Sequence, residues 1–185
     1  DPYSSSKGCA ELVTSAYRNS FFSDSTSKTF IASGRAGNVI GGGDWSKNRL
    51  VPDIMKEFME GRPAFIRNPS FIRPWQHVLD PLSGYLLLAE KLWLEGGRFA
   101  EGWNFGPDDA SSQPVSWIVK QLADLWGQNA KWETSSTPQG HEASVLRLDC
   151  SKARTILDWD SKLNLEEALR WTHDWYQAYH RKEDM

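Results

Sequence analysis

Asp1-Pro2-Tyr3-Ser4-Ser5-Ser6-Lys7, read with the residues behind it, decides how the rest of the chain is organised. Asp1 suits an N-cap and Pro2 the first helical turn, where a missing N–H costs nothing. Cys9, Leu12, Val13, Ala16 and Tyr17 then recur at i, i+3, i+4, i+7 and i+8. That stripe predicts an amphipathic helix from Pro2 to Phe21 with those side chains against a core. After a polar stretch, Thr29-Phe30-Ile31-Ala32-Ser33 is short and apolar and reads as a buried strand. It is expected to end near a loop from Asn38 to Asp44, where Gly41-Gly42-Gly43 allows close backbone approach or mobility.

The alternation continues along the chain. Val51, Ile54, Met55, Phe58 and Met59 predict a helix stopped by Gly61, and Ala64 to Ile66 a short strand. Asp80-Pro81 opens a third helix, with Leu82, Leu86, Ala89 and Trp93 on its apolar side, and Trp103-Asn104-Phe105 is a strand closed by Gly106-Pro107. Val115, Ile118, Val119, Leu122, Leu125 and Trp126 give a fourth helix ended by Gly127. A polar loop, Thr134 to Gly140, leads to a strand-like run from Val145 to Leu148. A short helix begins near Ser151. The last helix carries a capping box, Asn164 with Glu167, and a stripe through Leu165, Ala168, Leu169, Thr172, Trp175, Tyr176 and Tyr179. Helices alternating with short strands make the class α/β.

Tyr3 and Lys7 are one helical turn apart and share a face. At about 100° per residue that face points roughly 140° away from the middle of the apolar stripe, so the pair looks at something other than that core. A phenol is a poor base with a pKa of about 10. An ammonium held beside it favours the phenolate, the chemistry needed to deprotonate an alcohol during hydride transfer. The plain reading is an exposed pair at a helix start.

The order of motifs raises the first reading above the second. Pro2-Tyr3-Ser4-Ser5-Ser6-Lys7, the strand Phe30 to Ser33 and Gly34-Arg35-Ala36-Gly37-Asn38-Val39-Ile40-Gly41 are followed by Arg73-Pro74-Trp75-Gln76-His77-Val78-Leu79-Asp80 and Trp103-Asn104-Phe105-Gly106. Then come Gly140-His141-Glu142, Leu148-Asp149-Cys150-Ser151-Lys152-Ala153 and Leu157-Asp158-Trp159. This succession resembles the extended short-chain dehydrogenase/reductase family, which acts on nucleotide sugars, over essentially the whole chain. Within the family, Arg35 to Trp45, Ile66-Arg67-Asn68-Pro69 and Arg73 to Val78 look like the branch that dehydrates CDP-glucose.

The resemblance implies a partial Rossmann-like sheet with a smaller mixed α/β substrate domain. Residues 1–45 would complete the dinucleotide-binding domain, and residues 46–185 would mainly bind the nucleotide sugar, with some segments returning to the Rossmann domain. It implies NAD as cofactor, with Tyr3 taking a sugar hydroxyl proton and Lys7 binding the nicotinamide ribose. Asn38 would contact the nucleotide sugar and Arg73 its pyrophosphate, a task suited to a planar, permanently charged fork of donors. Arg67, Asn104 and Asp44 are further candidates, and a Val51-Pro52 loop would lie over the nucleotide. The family is usually oligomeric through bundled helices, which makes the Pro2 to Phe21 helix a candidate homo-oligomer interface. The implied setting is bacterial deoxysugar synthesis for lipopolysaccharide O-antigen.

One departure from the family is large. A glycine fingerprint between strand and helix, needed to bring a pyrophosphate to a helix N-terminus, is absent, and Gly41 to Gly43 has the wrong spacing to replace it. The family's Thr or Ser and its acid/base pair for elimination are also missing. These parts are expected before Asp1, making this the C-terminal portion of a dehydratase that would not turn over alone. The alternatives are a nucleotide-sugar epimerase, a dehydratase for another nucleotide, or a non-catalytic nucleotide-sugar binding module.

Composition excludes other classes. The 185 residues are 39% apolar and 24% charged, with 10 Trp and 8 Phe, enough to build a core. A net charge of −3, from 21 basic and 24 acidic side chains and without a Lys/Arg block, argues against nucleic acid as partner. The run from Leu86 to Leu94 contains Glu90 and Lys91 and is too short for a bilayer, so no membrane association is expected. Two distant cysteines, Cys9 and Cys150, fit the reducing cytoplasm, and Cys9, on the apolar stripe, is expected to be inert. His77 and His141 lack ligand spacing, so hydrogen-bonding roles and no metal are expected. Arg73 beside Trp75 has a second reading as a stacked surface cation, and Asn38 and Asn104 as turn residues. The tryptophans are read as core and interface material.

Overall fold

A computed structural model gives the architecture and describes residues 1–24, 26–134 and 143–183. In chain order the elements are α1 (Pro2–Phe21), β1 (Ser33–Ala36), β2 (Asn38–Ile40), α2 (Leu50–Met59), β3 (Ala64–Ile66), β4 (Ile72–His77), α3 (Leu79–Glu95), β5 (Gly102–Phe105), β6 (Ser112–Pro114), α4 (Val115–Trp126), β7 (Trp132–Thr134), α5 (Ser151–Leu157) and α6 (Leu165–Arg181). They form two compact units. The first comprises Asp1–Ala36, Leu79–Gly106 and Leu148–Asp160, and the second Gly37–Val78, Pro107–Arg147 and Ser161–Met185. The first passage of the chain between them falls at Ala36–Gly37.

In the first unit β1 and β5 pair in parallel, Ser33 opposite Gly102 and Ala36 opposite Phe105. Leu88, Phe99, Trp103, Phe105, Ala153, Leu157 and Trp159 form its core. The Asp1 carboxylate accepts from the Ser4 N–H at 2.9 Å, so α1 is capped as its sequence predicts. Its apolar stripe, however, is not on a core. No residue of α1 is buried, and Leu12, Val13 and Tyr17 are 71%, 56% and 55% exposed. The helix is tied down through its polar side instead: Arg18 Nε donates to the Ile31 carbonyl at 2.8 Å, and Ser33 Oγ donates to Glu11 Oε2 at 2.9 Å. Cys9, expected on a packed face, is exposed as well.

The helix α3 likewise turns the opposite side inward. Its buried residues are Asp80, Pro81, Gly84 and Leu88, while Leu82, Leu86 and Trp93 are exposed. Apolar residues surround this helix, so backbone proximity rather than side-chain size chooses the packed face. A Cβ on Gly84 would lie 2.3 Å from Phe105 Cδ1, and only glycine lets α3 come this close to β5.

The second unit holds a three-stranded sheet in the order β2-β4-β6, with β2 parallel and β6 antiparallel to β4, and a separate parallel pair, β3 with β7. Its core gathers Val51, Ile54, Met55 and Phe58 of α2, Ile118, Val119 and Leu122 of α4, and Leu165, Ala168, Leu169 and Tyr176 of α6. These are the faces the sequence stripes predict. The Asn164–Glu167 capping box is formed.

Two expected strands move or shrink. The Thr29–Ser33 run is not a strand until Ser33, because pairing with β5 begins there and the Ile31 carbonyl is taken by Arg18. The Val145–Leu148 run reduces to one bridge, Val145 opposite Ile72, although Leu146 N–H donates to the Ile72 carbonyl. The next donor along that ladder would be Pro74, which has no N–H. Conversely, Asn38–Ile40, expected to be loop, is strand β2. The Gly140-His141-Glu142 motif and residues 135–140 of the expected loop lie outside the described residues.

Candidate functional site

In the first unit, α1 presents Tyr3 and Lys7 in its opening turns. Lys7 Nζ sits 5.4 Å from the Tyr3 ring centroid, Tyr3 is 70% exposed, and neither side chain donates or accepts a hydrogen bond among the described residues. The pair is thus assembled by helix geometry alone and its polar atoms are uncommitted. Asn104, in β5 opposite Arg35, differs: its side-chain amide donates to the Asp149 carbonyl at 2.8 Å, which spends a donor on the fold.

In the second unit, β2 places Asn38 opposite Trp75 of β4. Asn38 is half-buried, and its amide makes no hydrogen bond among the described residues. Arg73, one strand away, is not the stacked surface cation of the plain reading. It is only 7% exposed, its Nη1 donates to the Ile72 and Ser144 carbonyls at 2.8 and 3.3 Å, and its guanidinium lies over the Phe71 ring at 5.1 Å. A buried guanidinium held by carbonyls has a fixed orientation. Trp75 is buried, and its indole N–H donates to the Gln113 carbonyl at 2.9 Å. His77 is buried, its ring set T-shaped against Trp171 at 5.7 Å.

Val51 and Pro52 do not form a loop. They are the first turn of α2, and Val51, 2% exposed, belongs to the core, so its side chain is not available to a ligand. What the sequence reading missed is the start of this helix. Its N-cap is Arg49, no side chain caps it, and Asn48 just before it has a left-handed backbone, φ 62°. Uncapped first-turn N–H groups favour an anion. The missing Ser, Thr, Asp or Asn at position 49 was the signal that could have shown it. At the Asp53 carboxylate of the same turn, burial pushes the pKa up against the lowering influence of Arg67 and of the Asn48 backbone. Arg67 itself is exposed at the end of β3.

The preceding loop is held from α6. The Tyr176 hydroxyl donates to the Asp44 carbonyl at 2.5 Å, and the Asp44 carboxylate accepts from the Ser46 N–H at 2.9 Å. Burial raises the Tyr176 phenol to about 12. Among the described residues there is no cluster of His, Cys, Asp or Glu that could hold a metal, and no helix is long and apolar enough to cross a membrane.

The chain is 52% identical over its whole length to CDP-glucose 4,6-dehydratase of Salmonella typhimurium, of which it covers 52%. It superimposes on dTDP-glucose 4,6-dehydratase from Bacillus anthracis, crystallised with NAD, with a TM-score of 0.77 at 22% identity, covering 99% of this chain and 54% of that one. UDP-glucuronic acid 4-epimerase from Bacillus cereus, in complex with UDP-glucuronic acid and NAD, gives 0.79 at 20% identity, over 97% and 53% of the two chains. These likenesses show the fold, an α/β arrangement matching the C-terminal part of such enzymes. No family model matches the chain. The chain spans about half the length of the relatives it matches.

Proposed function

We propose, from the premise that the chain belongs to the extended short-chain dehydrogenase/reductase family, that it is the C-terminal half of a CDP-glucose 4,6-dehydratase. The observation that carries this reading is 52% identity maintained over the entire chain. The reaction converts CDP-glucose to CDP-4-keto-6-deoxyglucose and water. NAD, when bound, supplies a hydride acceptor for C4 and a hydride donor for C6, between which water leaves across C5 and C6.

The residues of this chain fit one end of that cofactor. Tyr3 and Lys7 are adjacent, exposed and uncommitted, as a nicotinamide ribose and a sugar hydroxyl require. The glycine fingerprint for the cofactor's pyrophosphate is not among the 185 residues. Tyr3 takes the C4 hydroxyl proton, and Lys7 favours the phenolate by its charge and binds the ribose. In the second unit Asn38 offers its amide to the sugar nucleotide, and Arg73 pairs with the substrate pyrophosphate. The uncapped start of α2 offers its N–H groups to the same anion, and Arg67 extends the charge. Val51 takes part through the backbone of that turn.

We assign the first unit to the dinucleotide-binding domain and the second to nucleotide-sugar binding. The exposed stripe of α1 supports a homo-oligomer interface. Two free cysteines support a cytoplasmic enzyme, here placed in deoxysugar synthesis for O-antigen. Calorimetric titration with CDP, UDP and dTDP tests the reading. Selective binding of CDP is expected. Preference for UDP or dTDP would favour the epimerase or another dehydratase instead, and the shared fold accommodates both.

A further inference from the structure

We infer that Trp175 and Tyr176 of the C-terminal helix α6 are positioning residues that hold the Gly41–Trp45 segment in its binding geometry. The inference rests on the proposed nucleotide-sugar site, because that segment joins its two candidate contacts. Asn38 precedes it in β2, and the uncapped start of α2 follows it.

The chain on either side of the segment is anchored in the core. Ile40 is buried and its carbonyl accepts from the Val78 N–H, and Val51 is buried at the other end. Three consecutive glycines lie between, a run that would otherwise sample many conformations. The middle of the segment is held by α6. A Cβ on Gly42 would fall 2.1 Å from Trp175 Cγ and 2.4 Å from its Cδ2, so glycine is required there by the indole lying on the backbone. Gly43, with φ +75°, brings the backbone along the same ring. Next, Tyr176, fully buried, donates to the Asp44 carbonyl at 2.5 Å.

The clamp ends in stacked rings. Trp45 meets the Tyr176 ring edge-on at 5.3 Å and the Tyr179 ring at 4.8 Å, and Trp175 stacks on Tyr179 at an interplanar angle of 9°. Residues 175, 176 and 179 follow the helical period, so one face of α6 supplies the whole support. The triple glycine is therefore read as a seat for an indole. An unsupported segment would have to be ordered at the moment of binding, and a clamp that orders it in advance saves that cost.

Hydrogen exchange and nucleotide titration on the full chain test this together. Tyr176→Phe keeps the ring packing and removes only the hydrogen bond. It should speed amide exchange at residues 42–46 and weaken CDP about fivefold, the effect of one lost neutral hydrogen bond. Trp175→Ala should do both more strongly. Leu122→Val, a core change in α4 away from the segment, is the control: it should lower the unfolding midpoint without changing CDP affinity. Unchanged exchange at residues 42–46 in both α6 variants would overturn the clamp itself. Faster exchange with unaltered CDP affinity would overturn its role in binding. A wild-type chain that binds none of CDP, UDP or dTDP would overturn the nucleotide-sugar reading and this role with it, whereas the exchange result would still report on the clamp.

Discussion

Lys7 Nζ stands 5.4 Å from the centre of the Tyr3 ring, one turn along α1 and, among the described residues, without another partner for either polar group. Side chains that do nothing for the fold can be changed without loss of stability. Tyr3→Phe and Lys7→Met should each leave the unfolding free energy of the chain within about 0.5 kcal/mol of wild type. On the proposed dehydratase reading, the same changes in the full-length protein should lower kcat by about 100-fold or more, as expected for removal of a proton acceptor or of the charge beside it. Steady-state assay of CDP-glucose conversion checks the second half. Unchanged kcat in both variants would remove Tyr3 and Lys7 from the chemistry.

Arg73 should behave in the opposite way. Its guanidinium is buried, donates to two backbone carbonyls and covers Phe71. Arg73→Met removes a charged donor from two carbonyls that each keep one backbone N–H, and should cost about 1–3 kcal/mol in urea unfolding. Arg73→Lys keeps the charge but not the planar fork, so CDP affinity should fall even where stability is largely kept. Equal CDP affinity in wild type and Arg73→Lys would take the pyrophosphate role away from this residue.

The difference between Tyr3 and Arg73 also shows what could be read from the sequence. Helix positions were legible because capping and period-3.6 patterns are local: α1 and α6 start where Asp1 and Asn164 predict, and α2 and α4 stop where Gly61 and Gly127 predict. The inward face was legible in α2 and α6, where one side is plainly apolar. It was not legible in α3, where Gly84 against Phe105 decides, nor in α1, which is held through Glu11 and Arg18. Strands were less legible, since pairing depends on a distant partner. Ile72–His77 is a buried strand although its letters include Arg, Pro, Gln and His, and Val145–Leu148 fails as one for want of an N–H at Pro74. At the candidate site, residue chemistry pointed to Tyr3 and Lys7, and the family resemblance to Arg73. The burial of Val51, the uncapped helix start and the support from α6 all depend on contacts far apart in the chain.

Two carboxylates of α2 should respond to acid with opposite signs. Arg62 donates to Glu57 at 2.6 Å and holds its carboxyl below the ordinary 4.5, so this pair stabilises above that pH and its contribution is lost as pH falls through the depressed value. Burial holds Asp53 above the ordinary 3.8, so its charged form disfavours folding at neutral pH, and that penalty is relieved as pH falls through the raised value. Glu57→Gln should therefore flatten the loss of stability on acidification. Asp53→Asn should raise stability at pH 7 and remove the relief. Urea titrations from pH 7 to about 4 separate the two, and the same sign for both variants would contradict these assignments.

Asn104 marks the boundary between fold and ligand. Its amide donates to the Asp149 carbonyl, and the Asp149 carboxylate in turn accepts from the Ser151 N–H and hydroxyl at the start of α5. These bonds keep the Asp149 carboxyl below its ordinary value, the Ser151 hydroxyl contributing most. Asn104→Asp sets a carboxylate against a carbonyl and should destabilise the chain by about 1–3 kcal/mol through an unpaired acceptor. Asn104→Ser keeps a donor and should cost less. One of the two amide N–H groups is held by the fold, so CDP affinity should be the same in Asn104→Ser as in wild type if the second N–H and the carbonyl make no substrate contact. A selective loss of CDP binding in that variant, with its unfolding midpoint kept, would instead make Asn104 a substrate contact through its second N–H or its carbonyl.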